Sequence, residues 1–144
     1  MRSLTFFSTA VREMSRQELA ALGEECSNFD QHVGITGMLL HYRGSFLQVL
    51  EGRASVVRDM WVRIVVDPRH KDPHVISDHF VAEREFDSHL GFEDLDTLLA
   101  DTPFLDTFDY ETFAADPERA HLALLFFFHL RQRPNNDDDS AAAA

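Results

Sequence analysis

Two apolar runs separated by only two residues constrain the fold of this chain most strongly. The first run, GITGMLLHY, ends at Tyr42, and the second, SFLQVLEG, begins at Ser45. The intervening Arg43 and Gly44 suit a tight turn, because glycine accepts the backbone angles that a two-residue hairpin needs. The sequence therefore predicts a β-hairpin here, and any fold assigned to the chain must contain it.

A strand and a helix are predicted before the hairpin. The short aromatic run from Leu4 to Ser8 is typical of a first strand. Ser15 and Glu18 then have the spacing of a capping box, in which each side chain bonds the backbone N–H of the other residue. Apolar residues follow at once, so a helix is expected to begin at this point.

A second helix and another strand are predicted after the hairpin. Ser55 is expected to cap a helix whose apolar residues recur at helical spacing, and Pro68 ends that helix. Residues 74–86, bounded by Pro73, are predicted as a fourth strand. The order β-α-β-β-α-β indicates an α+β fold, a ferredoxin-like sandwich with two helices on one face of an antiparallel sheet.

The remaining residues indicate a C-terminal helical extension. Asp116 and Pro117 suit the N-cap and first turn of a helix that runs to about residue 133. We expect a domain over 1–92, the helical extension over 93–133 and a disordered tail over 134–144. Because the last helix is apolar around most of its surface, we expect it to cover the open face of the sheet and to contact another subunit in a homo-oligomer.

Composition narrows the set of partners. The 144 residues carry a formal net charge of -12, which opposes binding to nucleic acid and to anionic membranes. Neither is expected as a partner. Cys26 is the only cysteine and cannot form an internal disulfide, and the N-terminus lacks a signal-peptide pattern. The apolar stretch 122–130 is too short to cross a bilayer as a helix. The expected location is the cytoplasm.

Gln48 is a polar residue inside the apolar strand run. Side chains alternate across a strand, so Gln48 shares one face with Phe46 and Leu50. A buried amide must be hydrogen-bonded, since each unpaired group costs about 1 to 3 kcal/mol. Spacing alone leaves two readings open: the amide bonds a neighbouring protein group, or it binds a polar ligand held between the sheet and the helices.

The segment GITGMLLHYRGSFLQVLEG, followed by RIVVDPRH and then REF, resembles the BLUF domain, a small flavin-binding blue-light sensor. The match runs without gaps from about Ser15 to Phe86. The resemblance implies a ferredoxin-like fold with FAD held between the two helices. In that family, Gln48 matches the glutamine that bonds the flavin and rearranges after illumination.

Other site residues also follow from the resemblance. Arg69 and His70 match the family's phosphate-side and ribityl contacts, and Arg63 matches the arginine of the second helix. An arginine and a histidine at a pocket mouth suit an anionic pyrophosphate. Cys26 replaces a small polar residue of the first helix, which is a mild change.

The sequence departs from the family at its photoactive tyrosine. That tyrosine precedes a serine in the first strand, which places Phe7 at its position, or Phe6 after a shift of one residue. In the family the phenol bonds the glutamine and gives up an electron and a proton. Phenylalanine has no hydroxyl, so the standard photocycle is expected to be absent or altered.

Two further departures concern the flavin edge and the signal output. Asp30 stands where the family has an asparagine that bonds the pyrimidine edge, and an ionised carboxylate offers only acceptors there. Gapless counting places His89 at an output tryptophan and Gly91 at an output methionine, whereas a shift of one residue places Leu90 at the methionine. Flavin occupancy is therefore in doubt, and the output element has changed.

The leading hypothesis is a flavin-binding regulatory domain, without an enzymatic activity, that acts on an unidentified output protein through contacts. About 58 residues follow Phe86, too few for a cyclase or phosphodiesterase domain. The alternative is a cofactor-free interaction or assembly module of the same fold. A metal site is not expected, because His74 and His79 would point to opposite faces of a strand and no cysteine partners them.

Overall fold

The computed structural model describes residues 1–87, 89–101 and 115–132, excluding the side chains of residues 30, 31, 131 and 132. The described chain forms five strands and four helices. The strands are β1 (Arg2–Ala10), β2 (Thr36–Tyr42), β3 (Ser45–Gly52), β4 (His70–Phe80) and β5 (Leu90–Asp94). The helices are α1 (Arg16–Val33), α2 (Ala54–Val65), α3 (Leu95–Asp101) and α4 (Pro117–Gln132).

The strands form one mixed sheet in the order β4-β1-β3-β2-β5. Strands β1, β2, β3 and β4 pair antiparallel, and β5 is added parallel to β2. This arrangement confirms the predicted α+β ferredoxin-like sandwich with a C-terminal helix. The predicted boundary between residues 92 and 93 falls inside β5, and the predicted tail, 134–144, lies outside the described residues.

Both faces of the sheet are covered. On one face, called here the α1/α2 face, residues such as Leu4, Phe6 and Leu50 pack against apolar side chains of α2. On the other, the α4 face, Leu47 and Val49 pack with residues of α4 in a second core. Because strand side chains alternate, neighbouring residues of β3 belong to different cores.

Three predicted local structures are confirmed. Arg43 and Gly44 both have positive φ, 46° and 78°, as a two-residue type I′ hairpin requires. The Ser15 Oγ accepts a hydrogen bond from the Glu18 N–H at 3.1 Å, and the Glu18 carboxylate accepts from the Ser15 N–H at 3.2 Å. The Asp116 carboxylate accepts from the N–H groups of residues 118 and 119, so it caps α4.

Two predicted boundaries are wrong. Ser55 does not cap α2, because the helix begins at Ala54 with Arg53 in the cap position and no side-chain cap bond. Strand β4 spans His70–Phe80 rather than 74–86. It starts before Pro73 because β4 is an edge strand, where a residue without an N–H can leave its outward side unpaired.

Helix α4 has an apolar side turned to the sheet and another turned away. Leu124, Phe127 and Phe128 are buried against the α4 face, which confirms that this helix covers the open side of the sheet. Leu122 and Phe126 remain 62% and 53% exposed. Among the described helices, none combines the length and apolar character that a bilayer crossing demands.

Buried Glu51, at the end of β3, holds the connector between β4 and β5. Its Oε1 accepts hydrogen bonds from the N–H groups of Glu85 at 2.9 Å and Phe86 at 2.8 Å. Arg84, in the same connector, donates to the Gly34 carbonyl at 2.9 Å. Burial raises the pKa of Glu51 from its ordinary value of 4.5, and the two backbone donors offset only part of that effect.

The raised pKa of Glu51 predicts a specific pH dependence of stability. Since the folded protein holds this proton more tightly than the unfolded chain, the contribution of Glu51 to the free energy of unfolding falls as pH rises above about 4.5. Glu51→Gln has no charge to bury, so its free energy of unfolding is expected to rise relative to wild type between about pH 5 and about pH 7.5.

Urea unfolding at the two pH values measures this difference. Glu83→Gln is the matched control, because Glu83 lies in the same connector and is exposed. A constant difference between Glu51→Gln and wild type across the pH range would contradict the prediction.

Candidate functional site

A cavity of about 70 Å³ lies between the α1/α2 face of the sheet and the two helices. Strands β1, β2 and β3 supply its floor, and α1, α2 and the start of β4 supply its walls. The lining residues are Phe6, Ser8, Leu22, Cys26, Leu39, Phe46, Gln48, Ile64, Asp67, Arg69 and His70. Four of the predicted site residues, Cys26, Gln48, Arg69 and His70, are thus brought together.

Gln48 lies in an apolar row that crosses the sheet. Phe6 of β1 and Leu39 of β2 are its direct cross-strand partners, and Phe92 of β5 pairs with Leu39. The Gln48 side chain is buried, with the residue only 7% exposed. Within the described part of the chain, no group hydrogen-bonds the Gln48 amide. The amide therefore faces the cavity with its donors and acceptor unused.

Ser8 adds a second unpaired polar group. Its Oγ is buried and has no hydrogen-bond partner among the described residues. Ser8 pairs with Phe46, so its side chain lies on the same face as Gln48 and lines the cavity. Leaving the buried Ser8 hydroxyl unpaired costs about 1 to 3 kcal/mol. Gln48 and Ser8 in one cavity suit a ligand that carries hydrogen-bond donors and acceptors along one edge.

The structure corrects the placement of Phe7. Phe7 pairs with Leu47 and packs in the core of the α4 face, with its ring 5.5 Å from that of His74. Phe6 lies opposite Gln48 and lines the cavity. The prediction that Phe7 is beside Gln48 is therefore wrong, and the one-residue shift gives the right placement. The reason is strand alternation: the residue that shares the Ser8 face is two positions earlier, not one.

An ion-pair network surrounds Arg69 at the mouth of the cavity. Its Nη2 donates to the Asp67 carboxylate at 2.6 Å, and its Nη1 donates to the Glu25 carboxylate of α1 at 2.9 Å. The guanidinium lowers the pKa of Asp67 through these hydrogen bonds. Beside it, the His70 ring bonds the Ile64 carbonyl through Nε2. Arg69 and His70 thus lie where an elongated ligand would leave the cavity, and α1 is tied to the start of β4.

Arg63 lies further out. Its guanidinium sits over the Phe29 ring, 4.1 Å from the centroid. Both residues line a wider cleft of about 550 Å³ between the ends of α1 and α2. Asp30 belongs to α1, but its side chain lies outside the described part of the structure.

The predicted output residues lie at the start of β5. The Leu90 side chain is buried in the core of the α1/α2 face. The His89 carbonyl accepts a hydrogen bond from the Gly37 N–H at 3.1 Å, and its ring lies 5.3 Å from Phe128 of α4. A Cβ atom at Gly91 would come within 2.6 Å of the Met38 Sδ on the α4 face. Of the two residues that match the family's output methionine, Leu90 rather than Gly91 has its side chain on the α1/α2 face, where the cavity lies.

A separate polar cluster joins His41, Asp94 and Asp96, whose ligating atoms lie within 4.8 Å of one another. The Gly44 N–H donates to His41 Nε2 at 3.3 Å, so Nδ1 carries the proton of the neutral ring and donates to Asp94 at 3.1 Å. Both ring nitrogens are occupied in this way. The cluster therefore fastens the hairpin turn to the β5–α3 junction.

Sequence reasoning missed Ser8 and Phe6 as primary site residues. Leu4, Phe6 and Ser8 alternate along β1, so their side chains lie on the same face of the sheet as Gln48. Asp67 was also missed as the partner that orients Arg69. The sequence does contain an indication of this role. An aspartate often accepts a hydrogen bond from the backbone N–H two residues later, and Asp67 does so with the Arg69 N–H.

Comparison with known proteins identifies the family that this chain resembles. The profile of the family described as "Sensors of blue-light using FAD" matches residues 1–90. Photoactivated adenylate cyclase subunit beta of Euglena gracilis is 38% identical over 88 residues, covering 61% of this chain and 10% of that protein. The alpha-like protein FB of the same organism is 39% identical over 83 residues. The chain spans about a tenth of the length of these curated relatives.

Solved structures give the same similarity. Klebsiella pneumoniae BlrP1, as a manganese and cyclic-diGMP complex, is 30% identical with a TM-score of 0.62, covering 67% of this chain and 25% of BlrP1. A bacterial light-regulated adenylyl cyclase is 27% identical with a TM-score of 0.63, covering 72% and 31%. The dark-state structure of BlrB, 23% identical with a TM-score of 0.66 over 85% of this chain and 95% of that one, shows the fold.

Removal of the unpaired Ser8 hydroxyl is expected to have opposite effects on stability and on ligand binding. Because a buried hydroxyl without a partner destabilises the folded state, Ser8→Ala is expected to raise the free energy of unfolding of the ligand-free protein by about 1 kcal/mol. If the hydroxyl binds a ligand in the cavity, the same variant is expected to weaken FAD binding by about fivefold.

Ser3→Ala is the matched control. The Ser3 Oγ is also buried without a partner among the described residues, but Ser3 pairs with Glu51, on the α4 face. It should stabilise the protein similarly and leave FAD binding unchanged. Urea unfolding and fluorescence titration with FAD measure the two effects. Destabilisation by Ser8→Ala in the ligand-free protein would contradict the interpretation.

Proposed function

The chain belongs to the BLUF family, the sensors of blue light that use FAD, and from this membership we propose that it is a flavin-binding sensory domain acting through protein contacts. Residues 1–92 form the flavin-binding part of this proposal, and the following residues form the output segment. The observation that carries it is the cavity that Gln48 lines and that Ser8 lines with a buried hydroxyl, which has no hydrogen-bond partner among the described residues. No reaction catalysed by the chain itself forms part of the proposal.

The residues around the cavity suit a flavin in their chemistry. Bound FAD would supply the absorption of blue light. Gln48 and Ser8 would bond the polar edge of its ring system, and Arg63 and Arg69 would lie toward its phosphates. The inner cavity of about 70 Å³ is smaller than typical ligand pockets of about 300 to 1,000 Å³. Side chains of α1 and α2 must therefore move apart as the ring enters.

The photochemistry proposed for this chain differs from that of the family. Phe6 occupies the position beside Gln48 that suits the family's tyrosine, and it carries no hydroxyl to bond the amide or to donate a proton. Gln48 therefore lacks the partner that would fix its orientation before and after illumination. We infer that the standard tyrosine-glutamine photocycle does not run in this protein.

Trp61 is the alternative electron donor that the geometry favours. Its ring lies 5.1 Å from that of Phe6, in an edge-to-face arrangement on the α1/α2 face. Tyr42, the other alternative, packs in the core of the α4 face. Because an indole in this place has no hydrogen bond to Gln48 among the described residues, electron donation from Trp61 would not by itself rearrange the glutamine.

The proposed output runs through β3 to α4. Leu47 and Val49, the sequence neighbours of Gln48, pack in the same core as Leu124 and Phe128 of α4. A displacement of β3 at Gln48 therefore reaches α4 through direct contacts. The partner that binds α4 would be another protein or another copy of this chain.

A cofactor-free assembly module of the same fold is the second candidate function. The observation that favours it is the apolar side of α4 that remains exposed, formed by Leu122, Phe126 and Leu130. The two functions are distinguished by colour. Purified protein that is colourless and stays colourless after FAD is added and excess removed supports the assembly module and overturns the sensory proposal.

We predict that the purified protein binds FAD and that blue light causes no persistent red shift of the flavin absorption band. The physical reason is the missing hydroxyl at Phe6, which removes the second hydrogen-bonding partner of Gln48. Absorption spectra recorded before, during and after illumination test this prediction. A red shift that decays in the dark would contradict the inferred loss of the photocycle.

Restoring two polar groups is expected to restore the red shift. Phe6→Tyr supplies the phenol opposite Gln48, and Asp30→Asn supplies an amide that can both donate and accept. We expect the double variant Phe6→Tyr/Asp30→Asn to bind FAD more tightly than wild type and to show a light-induced red shift in the absorption spectrum.

The matched control is Phe7→Tyr/Asp30→Asn, which places the new hydroxyl on the α4 face. It should lack the red shift. If the Phe7 variant responds to light and the Phe6 variant does not, the assignment of Phe6 to the tyrosine position is wrong.

A further inference from the structure

Strand β5 ends the sheet on one side and leaves its outer main chain unpaired. It lies parallel to β2, and no other described strand pairs with it. The Gly37 N–H of β2 donates to the His89 carbonyl, so His89 and Gly91, on either side of the Gly37 partner, turn their main chains toward β2. Leu90 and Phe92 therefore turn theirs outward. Among the described residues, none forms a hydrogen bond with these outward groups.

The two edges of the sheet differ in how readily they accept another strand. Strand β4, at the other edge, contains Pro73, a positive φ of 53° at Asp72 and two register shifts in its pairing with β1. Prolines and bulges protect an edge against strand addition. Strand β5 contains no proline, and its pairing with β2 runs without a register shift. Of these two edges, β5 is therefore the one that can accept a strand.

A cleft of about 560 Å³ runs beside the β5 edge. One wall is formed by residues on one face of α1, between Arg16 and Asn28, and the other by residues 89–94. Helix α1 lies close to β5 because Gly23 has no side chain: a Cβ atom there would come within 2.4 Å of the Phe92 ring. The five residues of β5 span about 17 Å and all line the cleft. The cleft thus has room for an extended segment of that length.

The charges along the cleft favour a basic occupant. Glu24 of α1 and Glu93 and Asp94 at the end of β5 line it, and Arg16 is the only lysine or arginine among its described lining residues. Glu24 is exposed and forms no ion pair within the described part of the chain. A second copy of this chain would bring like charges together, since the sequence carries a net charge of -12. A basic segment of a different protein fits the cleft better.

We propose that the β5 edge is a docking site for an extended, basic segment of a partner protein, which adds to the sheet as a sixth strand. The main chains of Leu90 and Phe92 supply the hydrogen bonds that hold the segment. Because side chains alternate along a strand, every second residue of the segment faces α1, where Glu24 selects lysine or arginine. Docking at this edge does not require flavin, so its failure is separate from a failure of the proposed sensory function.

The probe is a fluorescently labelled peptide of alternating lysine and valine, about seven residues long, titrated with the full chain and followed by fluorescence anisotropy. We expect saturable binding that weakens as the salt concentration rises. The same peptide with N-methylated backbone nitrogens keeps its charge but loses its main-chain donors. It is expected to bind on the order of tenfold more weakly. Equal binding of the two peptides, or no saturable binding of the first, overturns the docking site.

Amide hydrogen exchange measured by NMR locates the bound peptide. The peptide should slow the exchange of the Leu90 and Phe92 N–H groups and leave the exchange of the β4 amides unchanged. Binding without protection of these two groups, as non-specific attraction to an acidic protein would give, overturns the proposal. Protection that appears without peptide and grows with protein concentration also overturns it, because a second copy of the chain would then occupy the edge.

Glu24→Lys tests the charge selection. It should weaken binding of the lysine peptide about fivefold, because it replaces an attraction along the cleft by a repulsion. Asp59→Lys is the matched control, since it changes the net charge by the same amount at an exposed residue of α2 that does not line the cleft. It should bind the peptide nearly as well as wild type. Equal weakening by the two variants would show a general charge effect and overturn the assignment of Glu24.

Discussion

Strand β3 is buried on both faces, and this constraint governs the rest of the structure. It lies between β1 and β2 in the centre of the sheet. Its side chains therefore alternate between the core under α1 and α2 and the core under α4. A shift of one residue would exchange the two cores and place Gln48 under α4, which fixes the register strongly. The polar site and the α4 contact are two sides of one strand.

Two polar residues of neighbouring strands, Gln48 of β3 and Ser8 of β1, line one cavity on the α1/α2 face. Gln48 lies between Phe6 and Leu39, neither of which can bond an amide, and Ser8 is in the same position two residues along β1. A core selected only for stability would replace such groups with apolar side chains, because an unpaired buried group is costly. Among the described residues the Ser3 hydroxyl on the α4 face is also unpaired, so it is the shared cavity of Gln48 and Ser8, rather than the lack of a partner alone, that suits a ligand site.

The sequence predicted two elements with local causes correctly, although the local N-cap signal at Ser55 was wrong. The hairpin at Arg43–Gly44 and the capping box at Ser15 depend on a few adjacent residues, and both are confirmed. The choice between Phe6 and Phe7 depends on which face of β1 meets α1 and α2, which is a tertiary property. The start of β4 before Pro73 likewise depends on its place at the edge of the sheet. The cleft beside Arg63 needs two helices to converge.

The position of Gln48 places the cavity one residue away from the core that packs against α4. Leu47 and Val49 are covalently joined to Gln48 and are fully buried against α4, so the backbone of β3 has no free volume in which to absorb a movement. Packed cores pass from one arrangement to another rather than deforming gradually. A ligand that forms hydrogen bonds with the Gln48 amide would therefore contact a strand whose opposite face packs against α4. Leu122 and Phe126 of α4 are exposed on the side away from the sheet. Under the proposed function, a ligand would set the orientation of this amide, because Phe6 carries no hydroxyl. Occupancy of the cavity, rather than illumination alone, would then be the variable to which α4 responds.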